Sequence, residues 1–137
     1  MQTHTDELRG RLRAVGLRAT GQRLELARLI FAEGNRHVTA EQLHQEARGT
    51  GVKVSLATVY NTLHQFTAAG LLREIAVDPR RSYFDTNTDD HHHFFFEEDG
   101  RLEDIPAHRL TVRDVPAAPK GTQVNRVDVV VRVSRSQ

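Results

Sequence analysis

"SLATVYNTLHQFTAAGLLREIAVDPRRSYFD" (Ser55–Asp85) decides how this chain is read. Ser55 has the side chain of a helix N-cap, whose oxygen accepts from an otherwise orphaned amide. At about 100° per residue, Leu56, Val59, Leu63 and Phe66 gather on one side of the following helix. Thr58, Asn61, Thr62 and Gln65 gather on the other, with Tyr60 and His64 at the border. That second face is polar but uncharged. A helix face that only meets water usually carries Glu and Lys, whereas one that enters a DNA groove must avoid carboxylates and offer donors and acceptors to base edges. Gly70 closes the helix. The chain then alternates weakly, turns at Asp78-Pro79 and returns through Ser82, Tyr83 and Phe84, which describes a hairpin with Arg80 and Arg81 at its tip. A helix followed at once by a basic-tipped hairpin is the pattern of a winged helix-turn-helix, in which the helix reads the major groove and the wing touches phosphate. The competing reading is a small helical domain whose hairpin merely covers its core.

Upstream segments fit the first reading. Leu8, Leu12 and Val15 make a helical stripe over Asp6–Val15 that Gly16 ends. A second helix is expected from Thr20 to Ala32, with Leu24, Ala27, Ile30 and Phe31 facing inward. Thr39-x-x-Gln42 is a capping box opening a third, with Leu43 and Ala47 on its apolar side.

The chain changes character after the hairpin. Residues 1–84 carry 12 Lys/Arg against 8 Asp/Glu, and residues 85–137 carry 7 against 10. A basic first part suits a polyanion, and an acidic second part suits a cation or a protein partner. "DDHHHFFFEED" (Asp89–Asp99) opens the second part. As a strand over His91–Glu98 it splits its residues by alternation: His91, His93 and Phe95 on one face, His92, Phe94 and Phe96 on the other. Asp99-Gly100 is a turn signal, Arg101–Ile105 continues as a strand, and Pro106, Pro116 and Pro119 leave room only for short helices between them. In "QVNRVDVVVRVSRS" (Gln123–Ser136), Val127, Val129, Val131 and Val133 alternate with Arg126, Asp128 and Arg132, the pattern of a half-buried strand. So small a β unit makes a poor core alone and is expected to complete itself by dimerising. The expected fold class is therefore α+β: an N-terminal winged helix over residues 1–85, then a small β-rich dimerisation and ligand-sensing domain over residues 86–137.

Composition excludes several chemistries. The chain has 137 residues and no cysteine, so disulfides, thiolate nucleophiles and cysteine-based structural zinc are excluded, and any metal must be held by His, Asp or Glu. Such donors suit iron, manganese or zinc. There is no apolar run of the roughly 20 residues a membrane span needs, and the first residues lack the apolar stretch of a signal peptide. A cytoplasmic protein with no membrane partner is expected.

"LRAVGLRATGQR", "HVTAEQLH", "SLATVYNTLHQFTAAGLL" and "SYFDTNTDDHHH" together resemble the ferric uptake regulator family, in its order and close to its spacings. With HHHFFF and the cysteine-free, valine-rich end, the chain is most similar within that family to the haem-responsive iron response regulators. The resemblance implies a homodimeric transcription regulator that binds double-stranded DNA at an inverted-repeat operator. It assigns Tyr60 to thymine methyl groups and Arg18 to the neighbouring minor groove. Ser55, Thr58 and Asn61 become groove-facing candidates, and Arg23 and Arg81 candidate phosphate contacts. It also matches His37 and Asp85 to two ligands of the family's regulatory metal site, with His91, His92 and His93 supplying others. The departures are Phe94 where that cluster has a later His, Arg126 in place of a final-strand His, and the missing CxxC pairs.

Two arrangements of the cluster follow. In one, part of the triplet joins His37 and Asp85 around one divalent metal. In the other, His91, His92 or His93 is an axial ligand to haem, with the phenylalanines packed on the porphyrin. Same-face histidines about 7 Å apart along a strand are poorly arranged to clasp one iron from both sides, so a second axial ligand would come from elsewhere, with His37 or His108 as possibilities. Two other functions compete with a regulator. A metal-dependent enzyme would need a general base and a substrate cleft, neither of which is evident. A haem- or metal-storage or trafficking module would have no need of Tyr60 on a carboxylate-free helix face.

Overall fold

In the computed structural model, residues 2–32 and 34–136 are described. The chain divides into two compact units, residues 1–88 and 89–137. The observed class is α+β, as the sequence pattern requires.

The first unit opens with α1 (Gln2–Ala14), α2 (Gly21–Phe31), the two-residue strand β1 (His37–Val38), α3 (Ala40–Gly49) and α4 (Leu56–Ala68). The hairpin β2 (Arg73–Asp78) and β3 (Arg81–Asp85) follows. Each helix of the last three starts on a side-chain cap. Thr20 accepts from the amide of Arg23, Thr39 from that of Gln42, and Ser55 from that of Thr58. At Thr39 the box is complete, because the Gln42 side chain also accepts from the Thr39 amide at 3.0 Å. Leu8, Leu12, Ile30, Leu43, Leu63 and Phe66 meet in one core that Phe84 of the wing also enters. Two expectations are corrected here. Val15 lies past the end of α1 and is 36% exposed, because Gly16 turns the chain away with φ +80°. Thr62 is 4% exposed; standing between Val59 and Phe66 on the helix, it belongs to the core side rather than to the polar face.

β1 is the element that sequence periodicity does not reveal. It pairs antiparallel with β3, His37 against Asp85 and Val38 against Phe84, and makes a sheet of order β1-β3-β2. The pairing continues on one side, where Arg36 and Thr86 exchange backbone and hydroxyl bonds. The Arg36 guanidinium also forms a fork on the Glu46 carboxylate, at 2.9 and 2.7 Å, and donates to the Leu29 carbonyl at the end of α2. One arginine thus joins α2, α3 and the wing.

In the second unit β4 (His91–Phe96) pairs antiparallel with β5 (Arg101–Pro106) and parallel with β6 (Val130–Val133). Gly100, at φ +73°, closes the hairpin and donates to the Phe96 carbonyl at 2.8 Å. A 3-10 turn covers Ala107–Arg109. The final strand is shorter than its alternation suggests: Val127 is 37% exposed, and pairing begins only at Val130. Among the described residues no helix is long and apolar enough to cross a membrane.

Phe66 is fully buried, so Phe66→Ala should cost about 3–5 kcal/mol of stability through lost burial and the cavity left behind. Thr39→Ala removes only a cap and should cost about 1 kcal/mol. Urea denaturation of the two variants checks both the sizes and their order.

Candidate metal centre and nucleic-acid interface

The exposed face of α4 is built by what the core refuses. Val59, Thr62, Leu63 and Phe66 are buried, which leaves Ala57, Asn61, His64, Gln65 and Ala68 exposed and Thr58 and Tyr60 at the margins. No residue of the helix is charged. Ser55 and Thr58 are occupied with each other: the Thr58 amide donates to Ser55 Oγ at 3.1 Å and the Ser55 hydroxyl donates to Thr58 Oγ1 at 2.9 Å. Asn61 is exposed, and its side chain has no hydrogen-bond partner among the described residues. Tyr60 donates its hydroxyl to Glu41 of α3 at 2.7 Å. That hydrogen bond, helped by burial and by the Glu41 charge, raises the phenol above its ordinary value of 10.0 and keeps it neutral.

Arg23 works inside the unit. Its Nε and Nη2 donate to Gln65 Oε1 at 3.3 and 3.0 Å, and its Nη1 donates to the Arg18 carbonyl at 2.8 Å. It therefore braces the segment carrying the exposed Arg18 against α4. At the wing tip, Arg81 donates to Asp78 at 3.2 and 3.3 Å. The Arg80 amide also donates to Asp78 and, with Arg81, holds this carboxyl below its ordinary value. Arg80 itself has no side-chain partner among the described residues, and of the two wing-tip arginines it offers the less committed charge.

Two sets of metal-capable donors stand on separate units. In the first unit, the β1–β3 register brings His37 Nε2 within 3.1 Å of Asp85 Oδ2, and Asp85 is 1% exposed. In the second, His91 and His93 share the buried face of β4 and His92 the other. His91 Nδ1 donates to the Asp89 carbonyl. A carbonyl only accepts, so Nδ1 carries the proton and Nε2 presents its lone pair. That Nε2 lies 3.5 Å from Asp104 Oδ1, and His93 Nε2 lies 3.3 Å from the same oxygen. The two rings meet edge to face with centroids 4.5 Å apart. A lone pair aimed at a carboxylate oxygen is repulsive unless a cation, whether proton or metal ion, stands between them. Ligand bonds of about 2.1 Å to a tetrahedral ion separate neighbouring donors by about 3.4 Å, which is the spacing found here. The residues fit a divalent N/O site.

His92 is differently employed. Its Nδ1 accepts from the Val129 amide at 3.0 Å, holding the approach to β6. His108 is exposed on the 3-10 turn. His44 sits against the Val54 carbonyl at 3.0 Å and ties α3 to the turn before α4. Asp104 is the donor that sequence reasoning missed. It stands opposite His93 in the β4–β5 ladder, and counting back across the Asp99-Gly100 turn would have found it.

A profile described as the ferric uptake regulator family matches residues 14–132. A peroxide-responsive repressor of Staphylococcus aureus, PerR, is 32% identical over 94 residues, covering 69% of this chain and 63% of that protein. The chain thus spans somewhat under two thirds of the curated relatives it matches. The ferric uptake regulator of Pseudomonas aeruginosa, solved with manganese, superposes with a TM-score of 0.71 at 26% identity, covering 93% of this chain and 97% of the other. That of Vibrio cholerae gives 0.71 at 20% identity, covering 93% and 98%, a likeness of fold alone.

Replacing Asp104 by Ala removes the oxygen shared by both imidazoles and should lower affinity for Mn²⁺ or Zn²⁺ on the order of 10–100-fold, while leaving the melting temperature of the metal-free protein within a few degrees. Calorimetric titration beside thermal unfolding separates the two effects.

Proposed function

The chain belongs to the ferric uptake regulator family, and we propose that it is a metal-responsive transcription regulator that binds an inverted-repeat operator as a homodimer. In this reading residues 1–85 recognise DNA, and residues 86–137 dimerise and sense the ligand. The family is one of transcription regulators, not enzymes. The observation that carries the sensing role is the convergence of His91, His93 and Asp104, three donors with ligand atoms within 4.8 Å of one another.

His91, His93 and Asp104 would hold a divalent metal, and His37 and Asp85 are candidate metal ligands by their match to the family's. When bound, the ion would supply the positive charge that lets these lone pairs stand together. His91 is already committed to the tautomer a ligand needs, through its bond to the Asp89 carbonyl. On the DNA side, Tyr60 and Asn61 present an uncharged surface to base edges, Arg18 and Arg80 or Arg81 meet phosphate, and Arg23 holds Arg18 in place. Ser55 and Thr58 cap the helix and lie beside the groove. Two-fold symmetry of the dimer matches the two half-sites.

Haem is the rival ligand. An edge-to-face pair of imidazoles on one strand face cannot take opposite axial positions of one iron, and the hard carboxylate between them suits a bare ion better. A mobility shift on an A/T-rich inverted repeat, run with Mn²⁺, Fe²⁺, Zn²⁺ or haem and with chelator, tests the whole reading. Complex formation that changes with one of the metals and not with haem is expected. A response to haem alone, with a Soret band that His91→Ala abolishes, would replace metal by haem. No specific complex in any state would sink the regulator reading.

A further inference from the structure

We propose that Glu41 sets the base specificity of Tyr60 by taking the only proton its hydroxyl can give, so that this position rejects guanine. The inference rests on the reading of Tyr60 as a groove residue. A phenol has a single O–H. In this structure it is spent on a carboxylate at 2.7 Å, the length of a charge-assisted bond. Glu41 lies in the first turn of α3, where the helix dipole favours a negative charge. It is exposed, so nothing in the core asks for it. The ring is held as well as the hydroxyl: Tyr60 packs partly against the core, and the His64 ring flanks it at 6.2 Å.

A tyrosine so held offers a base edge only carbon and an accepting oxygen. In the major groove, guanine presents two acceptors, N7 and O6, and would face that oxygen with no proton between them. Thymine also carries an acceptor, O4, but offsets it with a methyl group that suits the ring edge, and adenine and cytosine present amino donors, which suit the oxygen. Without Glu41 the hydroxyl could turn and donate, and guanine would become acceptable. Glu41 thus acts by exclusion, in the sense that specificity includes what a site is built to refuse.

The test is a binding selection by full-length, metal-loaded protein from an inverted-repeat library randomised within each half-site. Wild type is compared with Glu41→Ala, Glu41→Gln, Tyr60→Phe and Tyr60→Ala. Glu41→Ala should raise acceptance of guanine at one position of each half-site about five- to tenfold and leave the other positions unchanged. Glu41→Gln keeps an accepting oxygen and should retain most of the discrimination. In the Tyr60→Phe background the effect of Glu41→Ala should vanish, because the two residues act as a unit. A Glu41→Ala variant that weakens every sequence equally, or shifts no base preference, would overturn the inference while a defect in Tyr60→Ala preserves the groove assignment. Normal binding and preference by Tyr60→Ala would overturn both.

Discussion

The first unit depends on a backbone pairing only two residues long. β1 is too short to exist by itself, but its bonds to β3 fasten the loop between α2 and α3 to the wing. Val38 and Phe84 are both fully buried at that seam, so the pairing is also a packing contact. Arg36 reinforces it by spanning the Leu29 carbonyl, the Glu46 carboxylate and Thr86. The same register sets His37 against Asp85. One short ladder therefore supplies the mechanical tie of the wing and a pair of metal-capable donors. Displacing it by one residue would reverse the faces and separate that pair.

The helices were legible because their signals are local. Caps at Thr20, Thr39 and Ser55 stand within three residues of the amides they satisfy, and a stripe such as Leu56–Val59–Leu63–Phe66 needs no knowledge of the partner it packs on. The split of the histidine triplet was equally legible, since alternation is a property of any strand. What escaped the sequence depends on distant register. β1 draws its identity from a strand some fifty residues away in the chain. Asp104 acquires its meaning only from the hairpin that sets it opposite His93. The alternation of Val127 and Val129 matches that of Val131 and Val133, yet the ladder to β4 starts only at Val130, and Val129 reaches β4 through its backbone alone. Thr62 misled because its small side chain suits either face.

The three adjacent histidines have different employments. His91 and His93 converge on one carboxylate, and His92 spends its Nδ1 lone pair on a backbone amide. Chemically identical neighbours are thus separated into ligand candidates and a strut by strand geometry alone. The arginines near α4 and the wing divide similarly: Arg23 is a brace, Arg81 is tied to the turn, and Arg18 and Arg80 are exposed. Residue type alone assigns none of these roles.

The parallel pairing of β6 with β4 has a consequence for the order in which the molecule is made. β4 and β5 are joined by a tight turn and can zip locally, carrying His91, His93 and Asp104 with them. β6 must return across the irregular stretch that follows the 3-10 turn before it can dock beside β4, and such distant closures are slower. During folding the hairpin can therefore form while the edge that β6 will cover is still open. His91, His93 and Asp104 thus come into register through a local turn, before the distant strand that finishes their sheet is needed.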